Sequence, residues 1–254
     1  MSHSKSSPSS ALQSQVLEQA RDLFGADTEQ VALFEHELGM LTRRRLPRLH
    51  EAVQQRTRRV VAVMEDIYSD HNQSAVMRSC DAFGIQDVHL IEDLNEFDVA
   101  RTISRGAHKW LTLQRYSGNT ARPDCVAELR TRGYKLVVTS PHEGDFTPQT
   151  LPLDAPVALV FGNEHQGVTA TLMEEADAFV QIPMYGFSES LNISVATAIV
   201  LQQLAHRLRS ENHDWSLTER EQMLLLVEWV GRSIPHREHV ERRFLKELRS
   251  RNPR

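Results

Sequence analysis

An alternation of strand-like and helix-like segments begins at Val60 and continues to about residue 210. The strand-like runs are rich in β-branched residues and bounded by turn formers, and they cover residues 60–64, 88–91, 136–139, 157–161 and 179–182. The helix-like segments 73–83 and 125–132 are each followed by a glycine, as at a C-terminal helix cap. This order predicts an α/β fold, in which a mostly parallel sheet is covered by helices on both faces.

The segments on either side of the alternation have helical spacing. We predict a flexible, serine-rich tail over residues 1–11, a helical, arginine-rich extension over 12–59, the α/β domain over 60–210 and a helical, basic extension over 211–254. In the last of these, Ser216 and Glu219 fit a capping box that begins a helix. A long helix over 190–209 has an apolar stripe with Val195, Ile199 and Leu208, which is predicted to pack on the sheet or on a partner.

The composition argues against several classes of protein. No apolar run approaches the ~18 residues that span a bilayer, and the amino terminus lacks the apolar segment of a secretory signal, so a cytoplasmic protein without a membrane anchor is predicted. Cys80 and Cys125 are too few for a disulfide framework or a zinc cluster, so they are predicted to be buried apolar side chains, and no metal site is predicted. The formal net charge of -5 argues against a protein that coats nucleic acid with its whole surface.

Arginines nevertheless cluster in two places. Seven of them lie between Leu41 and Val60 against a single acid, Glu51, and more lie toward the carboxyl end. Such clusters are typical of phosphate binding, although solvated helix faces produce them too. The candidate RNA contacts are Arg43, Arg44 and Arg45 in the first cluster, and Arg207 and Arg209 at the end of the long helix.

Three polar segments follow predicted strands, and ligands bind at the carboxyl ends of parallel strands. The first, residues 71–78, contains Asn72, which fits a helix cap, and Arg78, which can hold a phosphate in bidentate fashion. The second, residues 162–167, has glycines that let the backbone approach a ligand, but it is neither a Walker loop nor a dinucleotide motif. In the third, residues 188–192, either Ser190 or Asn192 fits the cap of the long helix. Together these loops predict a ligand pocket.

The order and spacing of these segments resemble the three motifs of the SPOUT methyltransferase superfamily. Within it they are most similar to the TrmH type, the tRNA (guanosine-18) ribose 2'-O-methyltransferases. The match runs from about Leu41 to Arg209. It comprises Asn-x(5)-Arg over 72–78, Gly-Ala-His-Lys-Trp over 106–110, Gly-x-Glu-x-x-Gly over 162–167, and Ile-Pro-Met with Ser-Leu-Asn-x-Ser over 182–194.

The resemblance implies a trefoil-knotted α/β domain that binds S-adenosylmethionine and acts on tRNA as a homodimer. It places the cofactor at the ends of the knot-forming strands, against Thr139, Gly162, Ile182, Met184 and Leu191. Arg78 corresponds to the catalytic arginine of the family, and the site around it would be shaped by Asn72, Glu164, Ser190 and Asn192. Because an arginine stays protonated, holding an RNA phosphate and stabilising an alkoxide is physically easier for it than removing a proton.

Two other functions remain open. One is a ribosomal RNA 2'-O-methyltransferase of the same superfamily, but such relatives often carry a separate α/β domain ahead of the knot, whereas this chain has a short helical lead. The other is a catalytically silent RNA-binding protein that keeps the fold. The presence of Arg78, Glu164, Ser190 and Asn192 argues against it.

Overall fold

The computed structural model describes residues 8–93, 106–211 and 213–251. These residues form two compact units. One contains the described residues up to Gln55 together with those from Leu217 onward, and the other is Arg56–Ser216. The first unit is helical and the second is α/β. The two extensions that were predicted separately therefore belong to one unit.

The α/β unit contains one parallel sheet within its described residues. Its strands follow the order β3-β2-β1-β5-β4-β6, and every pairing is parallel. The strands are β1 (Val60–Glu65), β2 (Asp87–Glu92), β3 (Thr112–Ser117), β4 (Lys135–Thr139), β5 (Val157–Phe161) and β6 (Ala178–Val180). The helices are α4 (Asp70–Phe83), a 3₁₀ turn (Ala107–Trp110), α5 (Ala121–Thr131), α6 (Ala170–Glu174) and α7 (Ile193–Ser210).

Helices cover both faces of the sheet, as the alternation predicted. Alternate residues of β1 point to opposite faces, so that Val60 and Ala62 pack with α4 and α7, whereas Val61 and Val63 pack with α5 and α6. Strands buried on both faces read as continuous apolar runs, and each fully buried aliphatic side chain contributes about 1.5–3 kcal/mol. The predicted α/β fold is confirmed, and the knot stays a prediction.

Three elements differ from the prediction. Strand β3 was missed because it is an edge strand, half-buried or exposed along its length, and its polar sequence gives no apolar run. Strand β6 ends at Val180, two residues early, where Gln181 N–H instead bonds to the carbonyl of Phe146. The stripe of α7, predicted to pack as one surface on the sheet or on a partner, is divided: Leu208 is 1% exposed and packs in the core, whereas Val195 and Ile199 are exposed.

The helical unit contains α1 (Pro8–Phe24), α2 (Thr28–Met40), α3 (Arg45–Gln54), α8 (Glu219–Arg232) and α9 (Arg237–Arg251). Helix α1 begins at Pro8, inside the segment predicted as a tail. The capping box predicted from Ser216 and Glu219 is wrong by two residues. Thr218 is the N-cap of α8, and its hydroxyl accepts from Glu221 N–H while the Glu221 carboxylate accepts from Thr218 N–H.

An ion pair in this unit joins α2, from the amino-terminal part of the chain, to α9, from the carboxyl-terminal part. Glu37 is 1% exposed on α2, and its carboxylate accepts hydrogen bonds from the Arg237 guanidinium at 2.6 and 3.3 Å. The guanidinium crosses Gly231, where an added Cβ would lie 2.4 Å from the central carbon of that group. No helix in the described residues is long and apolar enough to span a membrane.

Candidate active site

Three strands end side by side at one edge of the sheet. Val138 of β4 is in register with Val160 of β5, and Thr139 is in register with Val180 of β6. The Thr139 hydroxyl donates to the carbonyl of Val160 at 2.8 Å. The loops that follow these strands therefore leave the sheet together, at the edge where parallel sheets bind ligands.

The loop after β5 closes on itself. Asn163 and Gly167 exchange two backbone hydrogen bonds, of 3.1 and 3.0 Å. Gly167 has a φ of +72°, and a Cβ at Gly162 would lie 2.1 Å from the Gly167 carbonyl carbon, so both positions require glycine. The Asn163 side chain accepts from the N–H groups of His165 and Gln166. These two amides are therefore engaged within the loop.

A chain of side-chain hydrogen bonds connects the three polar segments. The carboxylate of Glu164 accepts from Asn72 Nδ2 at 2.6 Å, and Asn72 Oδ1 accepts from Asn192 Nδ2 at 3.3 Å. Asn192 Oδ1 accepts in turn from the Ser194 N–H at 2.9 Å and from its hydroxyl at 2.6 Å. Glu164 also accepts from the N–H groups of Tyr68 and Ser69, ahead of α4.

The two ends of this series of hydrogen bonds fix the orientation of the two amide side chains between them. A carboxylate only accepts, so Asn72 turns its NH₂ group toward Glu164 and its oxygen toward Asn192. A backbone N–H only donates, so Asn192 turns its oxygen toward Ser194. Partial burial alone would raise the pKa of Glu164, but hydrogen bonds from Asn72, Tyr68 and Ser69 outweigh it and hold that pKa below its usual value. The ionised form of Glu164 thus stabilises the arrangement.

The interpretation of Asn72 as a helix cap is wrong. Ser69 caps α4, and Asn72 lies in the first turn, 8% exposed, with its N–H donating to the Ser69 hydroxyl. Asn192 does cap α7, while Ser190 is exposed two residues earlier. The structure therefore joins Asn72, Glu164 and Asn192 through hydrogen bonds and leaves Ser190 at the surface.

A second set of polar residues, missed by the sequence analysis, anchors the far end of the β5 loop. Glu65 ends β1, is 1% exposed, and accepts from the Thr169 N–H and hydroxyl at 2.9 and 2.6 Å. Arg122 donates to Glu65 at 2.5 Å, to Asp66 at 2.7 Å and to Asp93 at 2.6 Å. Two acids directly after an apolar strand are the signal that was available, because buried carboxylates need a cation.

Arg78 lies in a different place on α4. It is exposed and lines a groove of about 540 Å³, which we call the Arg78 groove. The other lining residues are mostly small, and they come from α4, the 3₁₀ turn and α7: Ala75, Ser79, Asp81, Ala82, Phe83, Ala107, Trp110 and Ala198. Arg78 follows Asn72 by six residues, which is about 9 Å along the helix axis. The hydrogen-bonded residues and the Arg78 groove thus lie at different points along the same helix.

The segment 181–192, which follows β6, has neither helix nor strand. Ile182 and Met184 are half-buried in it, Leu191 is 37% exposed, and Tyr185 and Phe187 are fully exposed. This edge of the sheet therefore presents apolar side chains.

Comparison with known proteins assigns this architecture to a family. Residues 59–202 match the model of the SpoU rRNA Methylase family. The chain belongs to the SpoU methylase family. A tRNA (guanosine(18)-2'-O)-methyltransferase of Borreliella burgdorferi (strain ATCC 35210 / DSM 4680 / CIP 102532 / B31) is 32% identical to this SpoU methylase, over 79% of this chain and 91% of the relative. The enzyme of the same name from Aquifex aeolicus (strain VF5) is 31% identical, over 77% and 92%.

A solved structure agrees with the sequence relatives. The crystal structure of the A. aeolicus TrmH/SpoU tRNA modifying enzyme matches this SpoU methylase with a TM-score of 0.64 and 28% identity, over 75% of this chain and 97% of that one. The resemblance to the TrmH type that was inferred from the motifs is confirmed.

The arginines of this SpoU methylase differ in the contacts and in the exposure of their side chains. Arg207 donates to the carbonyls of Pro148 and Leu151 and pairs with Glu211, and Arg209 lies 4.6 Å from the Trp215 ring. Arg45 Nε donates to the Ser233 hydroxyl at 3.3 Å. Exposed guanidinium groups in the first cluster are those of Arg43, Arg44 and Arg48. The remaining three have structural partners: Arg56 pairs with Asp81, Arg58 with Asp87, and Arg59 donates to the Leu153 and Asp154 carbonyls.

Proposed function

We propose that this protein transfers a methyl group from S-adenosylmethionine to the ribose 2'-oxygen of guanosine 18 in tRNA. The observation that carries the proposal is the hydrogen-bond chain through Glu164, Asn72 and Asn192, because it joins the three motifs of the family into one site. Relatives named for this activity, of which the chain covers 91% and 92%, support the choice of substrate.

The residues at the sheet edge fit the cofactor. Half-buried Ile182 and Met184, with Leu191, offer apolar surface to an adenine ring, and they follow a strand that pairs with the one ending at Thr139, next to the strand that precedes Gly162. When bound, S-adenosylmethionine supplies an electrophilic methyl group on a sulfonium centre. Glu164, Asn72 and Asn192 hold the loops around it, so we assign them a positioning role.

Arg78 is the residue that we assign to the reacting ribose. Its exposed guanidinium can hold an RNA phosphate through two parallel hydrogen bonds, which fixes the adjacent ribose. A permanent positive charge there also stabilises the negative charge that develops on the 2'-oxygen as its proton leaves. Orientation of the attacking oxygen supplies much of the remaining rate.

A homodimer in the cytoplasm is part of the proposal. Val195 is 47% exposed and Ile199 37% exposed on α7, and Tyr185 and Phe187 are exposed just ahead of it. Exposed apolar groups of this kind favour a protein contact, and a symmetric pair is the commonest assembly. Light scattering at micromolar concentration should give twice the chain mass, and an active monomer would contradict the dimer.

We assign tRNA binding to the helical unit, with Arg43, Arg44 and Arg48 as phosphate contacts. The limits of that unit, Gln55 and Leu217, lie within a few residues of the domain limits predicted from the sequence. The guanidinium groups of Arg45, Arg207 and Arg209 already contact other groups of the protein, so we expect them to contribute less to tRNA binding.

The function is tested with tRNA transcripts that lack modifications. The purified protein and radiolabelled S-adenosylmethionine should label a transcript with guanosine at position 18, and should not label a matched transcript with 2'-deoxyguanosine there. Equal labelling of both would point to a base or to another nucleotide. Binding of tRNA without transfer to any RNA would favour the silent RNA-binding protein, and labelling of ribosomal RNA alone would favour the ribosomal enzyme.

A further inference from the structure

The loop after β5 begins and ends near one buried carboxylate. Met64 of β1 is the register partner of Phe161, the last residue of β5. The residues that follow them, Glu65 and Gly162, are therefore at neighbouring strand ends on the carboxyl edge of the sheet. Thr169, where the loop ends, returns to this place, because its N–H and hydroxyl both donate to the Glu65 carboxylate.

The Thr169 hydroxyl makes this contact in place of a helix cap. Thr169 is the N-cap residue of α6, a position where a threonine side chain usually accepts from a backbone N–H of the first turn. The Thr169 side chain accepts no such bond. Its hydroxyl instead donates to Glu65 at 2.6 Å, and a hydrogen bond to a carboxylate is stronger than one between neutral groups.

Arg122 holds the Glu65 carboxylate in the orientation that Thr169 uses. Glu65 is 1% exposed, and its Oε1 accepts from Arg122 Nε and from the Thr169 hydroxyl, while its Oε2 accepts from the Thr169 N–H. The same guanidinium donates to Asp66 and Asp93, which directly follow β1 and β2. A carboxylate that accepts on both oxygens cannot rotate without losing hydrogen bonds, and a buried one needs a compensating cation.

The position of Thr169 is transmitted to Gly162 through the backbone that precedes it. Gly162 packs on Gly167 and Val168, where an added Cβ would lie 2.1 Å from the Gly167 carbonyl carbon and from the Val168 nitrogen. Val168 is bonded to Thr169, so a movement of Thr169 shifts the atoms on which Gly162 packs. Glu164 is held separately, by its donors from residues 68–72.

We propose that Thr169 is a positioning residue for S-adenosylmethionine and that Glu65 and Arg122 hold it in place. This role rests on the proposed function, because it takes Gly162 and the loop after β5 as part of the cofactor site. A loop that is ordered in advance loses less entropy when a ligand binds. Removal of the Thr169 contact should therefore weaken cofactor binding and leave the chemical step unchanged.

The test compares Thr169→Val with Thr169→Ser. Thr169→Val keeps the size and the backbone N–H but removes the hydroxyl donor, whereas Thr169→Ser keeps the donor. Calorimetric titration should show roughly tenfold weaker binding of S-adenosylmethionine to Thr169→Val, as for loss of one hydrogen bond to a charged group. Thr169→Ser should bind it as the unaltered protein does. In methyl transfer by Thr169→Val, KM for the cofactor should rise by the same factor, while kcat and KM for tRNA stay within about twofold.

Hydrogen exchange in the absence of cofactor shows whether the loop itself is loosened. The backbone amides of residues 162–169 should exchange faster in Thr169→Val than in the unaltered protein. Thr131→Val is the matched control, because the exposed Thr131 donates its hydroxyl to the Ala127 carbonyl within α5. The control should change neither the exchange of the loop nor the affinity for the cofactor.

Arg122→Lys tests the cation that holds Glu65. It keeps the charge but loses the planar fork that contacts three carboxylates, so it should also weaken cofactor binding. Combined with Thr169→Val, it should weaken binding by less than the product of the two separate effects, because both act on the Glu65 carboxylate. If Thr169→Val does not fold, the affinity and the loop exchange of Arg122→Lys decide in its place.

Unchanged affinity for S-adenosylmethionine in Thr169→Val would overturn the inference, whatever the stability of that variant toward urea. A lower kcat with an unchanged KM for the cofactor would overturn it as well. Independent, multiplying effects of Arg122→Lys and Thr169→Val would remove Arg122 from the proposed role. These outcomes differ from failure of the proposed function, in which the unaltered protein itself binds no S-adenosylmethionine or transfers no methyl group to tRNA.

Discussion

Asn72 and Arg78 lie on the same helix but have different roles. Asn72 is buried at the start of α4, where its amide links Glu164 to Asn192. Arg78 is exposed further along the helix and faces the groove. A substitution at the first position should therefore disturb the shape of the cofactor loops, whereas one at the second should disturb the reaction with RNA.

Replacement of Arg78 with alanine should separate binding from transfer. We expect methyl transfer to fall by about a hundredfold or more, the usual effect of removing a group that stabilises developing charge. Affinity for S-adenosylmethionine, measured by calorimetric titration, should stay unchanged. Arg78→Lys, which keeps the charge but loses the planar fork, should fall between the two. Near-normal turnover in Arg78→Ala would make the arginine structural.

Replacement of Glu164 with glutamine should weaken cofactor binding and lower stability at neutral pH, since the carboxylate anchors three donors. The pKa of Glu164 is depressed in the folded protein, so its contribution is present above the unfolded pKa, about 4.3, and is lost as the pH falls through the folded value. Urea unfolding of both proteins should therefore differ at pH 7 and converge in acid.

Glu174→Gln, at an exposed position on α6, is the matched control and should leave both properties unchanged. A difference in stability between Glu164→Gln and the unaltered protein that grows as the pH falls would contradict the account.

At the scale of elements, the sequence predicted the buried strands and the helix ends. The runs of β1 and β5 are apolar because both faces are covered, and Gly84 and Gly133 mark helix ends because both have a φ of +78°. The partners of Glu164 could not be predicted, because they lie 92 to 96 residues away and depend on how two loops meet. Likewise, Arg122 carries no local signal of the three carboxylates that it contacts.

The pairing of β2 with β3 contains a buried histidine. His89 is 0% exposed, and its Nδ1 lies 2.8 Å from the Tyr116 hydroxyl, which donates to Glu128. Since the phenol hydrogen is directed to Glu128, Nδ1 must carry a hydrogen and donate to Tyr116. Burial lowers the pKa of His89 to about 4, although the charge of nearby Asp87 acts in the opposite direction.

This histidine should make the protein less stable in mild acid. Its folded pKa lies below the unfolded value of about 6.5, so its stabilising effect is complete above that value and is lost as the pH falls toward 4. The loss should be on the order of 3 kcal/mol. Urea unfolding between pH 7 and 4.5 should show a shallower decline for His89→Gln, and an unchanged slope for the control His142→Gln at an exposed position. Equal slopes for all three proteins would contradict the assignment.

At the scale of the whole molecule, a chain with a net charge of -5 must bind RNA through a local patch. In the first arginine cluster, Arg56, Arg58 and Arg59 serve the α/β unit itself and Arg45 donates to Ser233, which leaves Arg43, Arg44 and Arg48 exposed. The count of arginines in the sequence therefore overstates the number that can contact phosphates.

Replacement of Arg43, Arg44 and Arg48 together with alanine should flatten the salt dependence of tRNA binding. Each lost phosphate contact reduces the log-log slope by roughly 0.7–0.9, so a total change of about 2 is expected, with a higher KM for tRNA and unchanged cofactor affinity. Arg21→Ala with Arg220→Ala removes exposed charges of the same unit and should change the slope less. An unchanged slope in the triple variant would make these arginines a solvated helix surface.

The central claim is that this chain methylates the ribose of guanosine 18 in tRNA. The direct measurement is a map of 2'-O-methyl groups in RNA from cells that lack the gene and from the same cells carrying the unaltered or the Arg78→Ala protein. The account predicts that methylation of guanosine 18 disappears in the deletion, returns with the unaltered protein and does not return with Arg78→Ala. Unchanged methylation of guanosine 18 in the deletion, with a methyl group lost from ribosomal RNA, would contradict it.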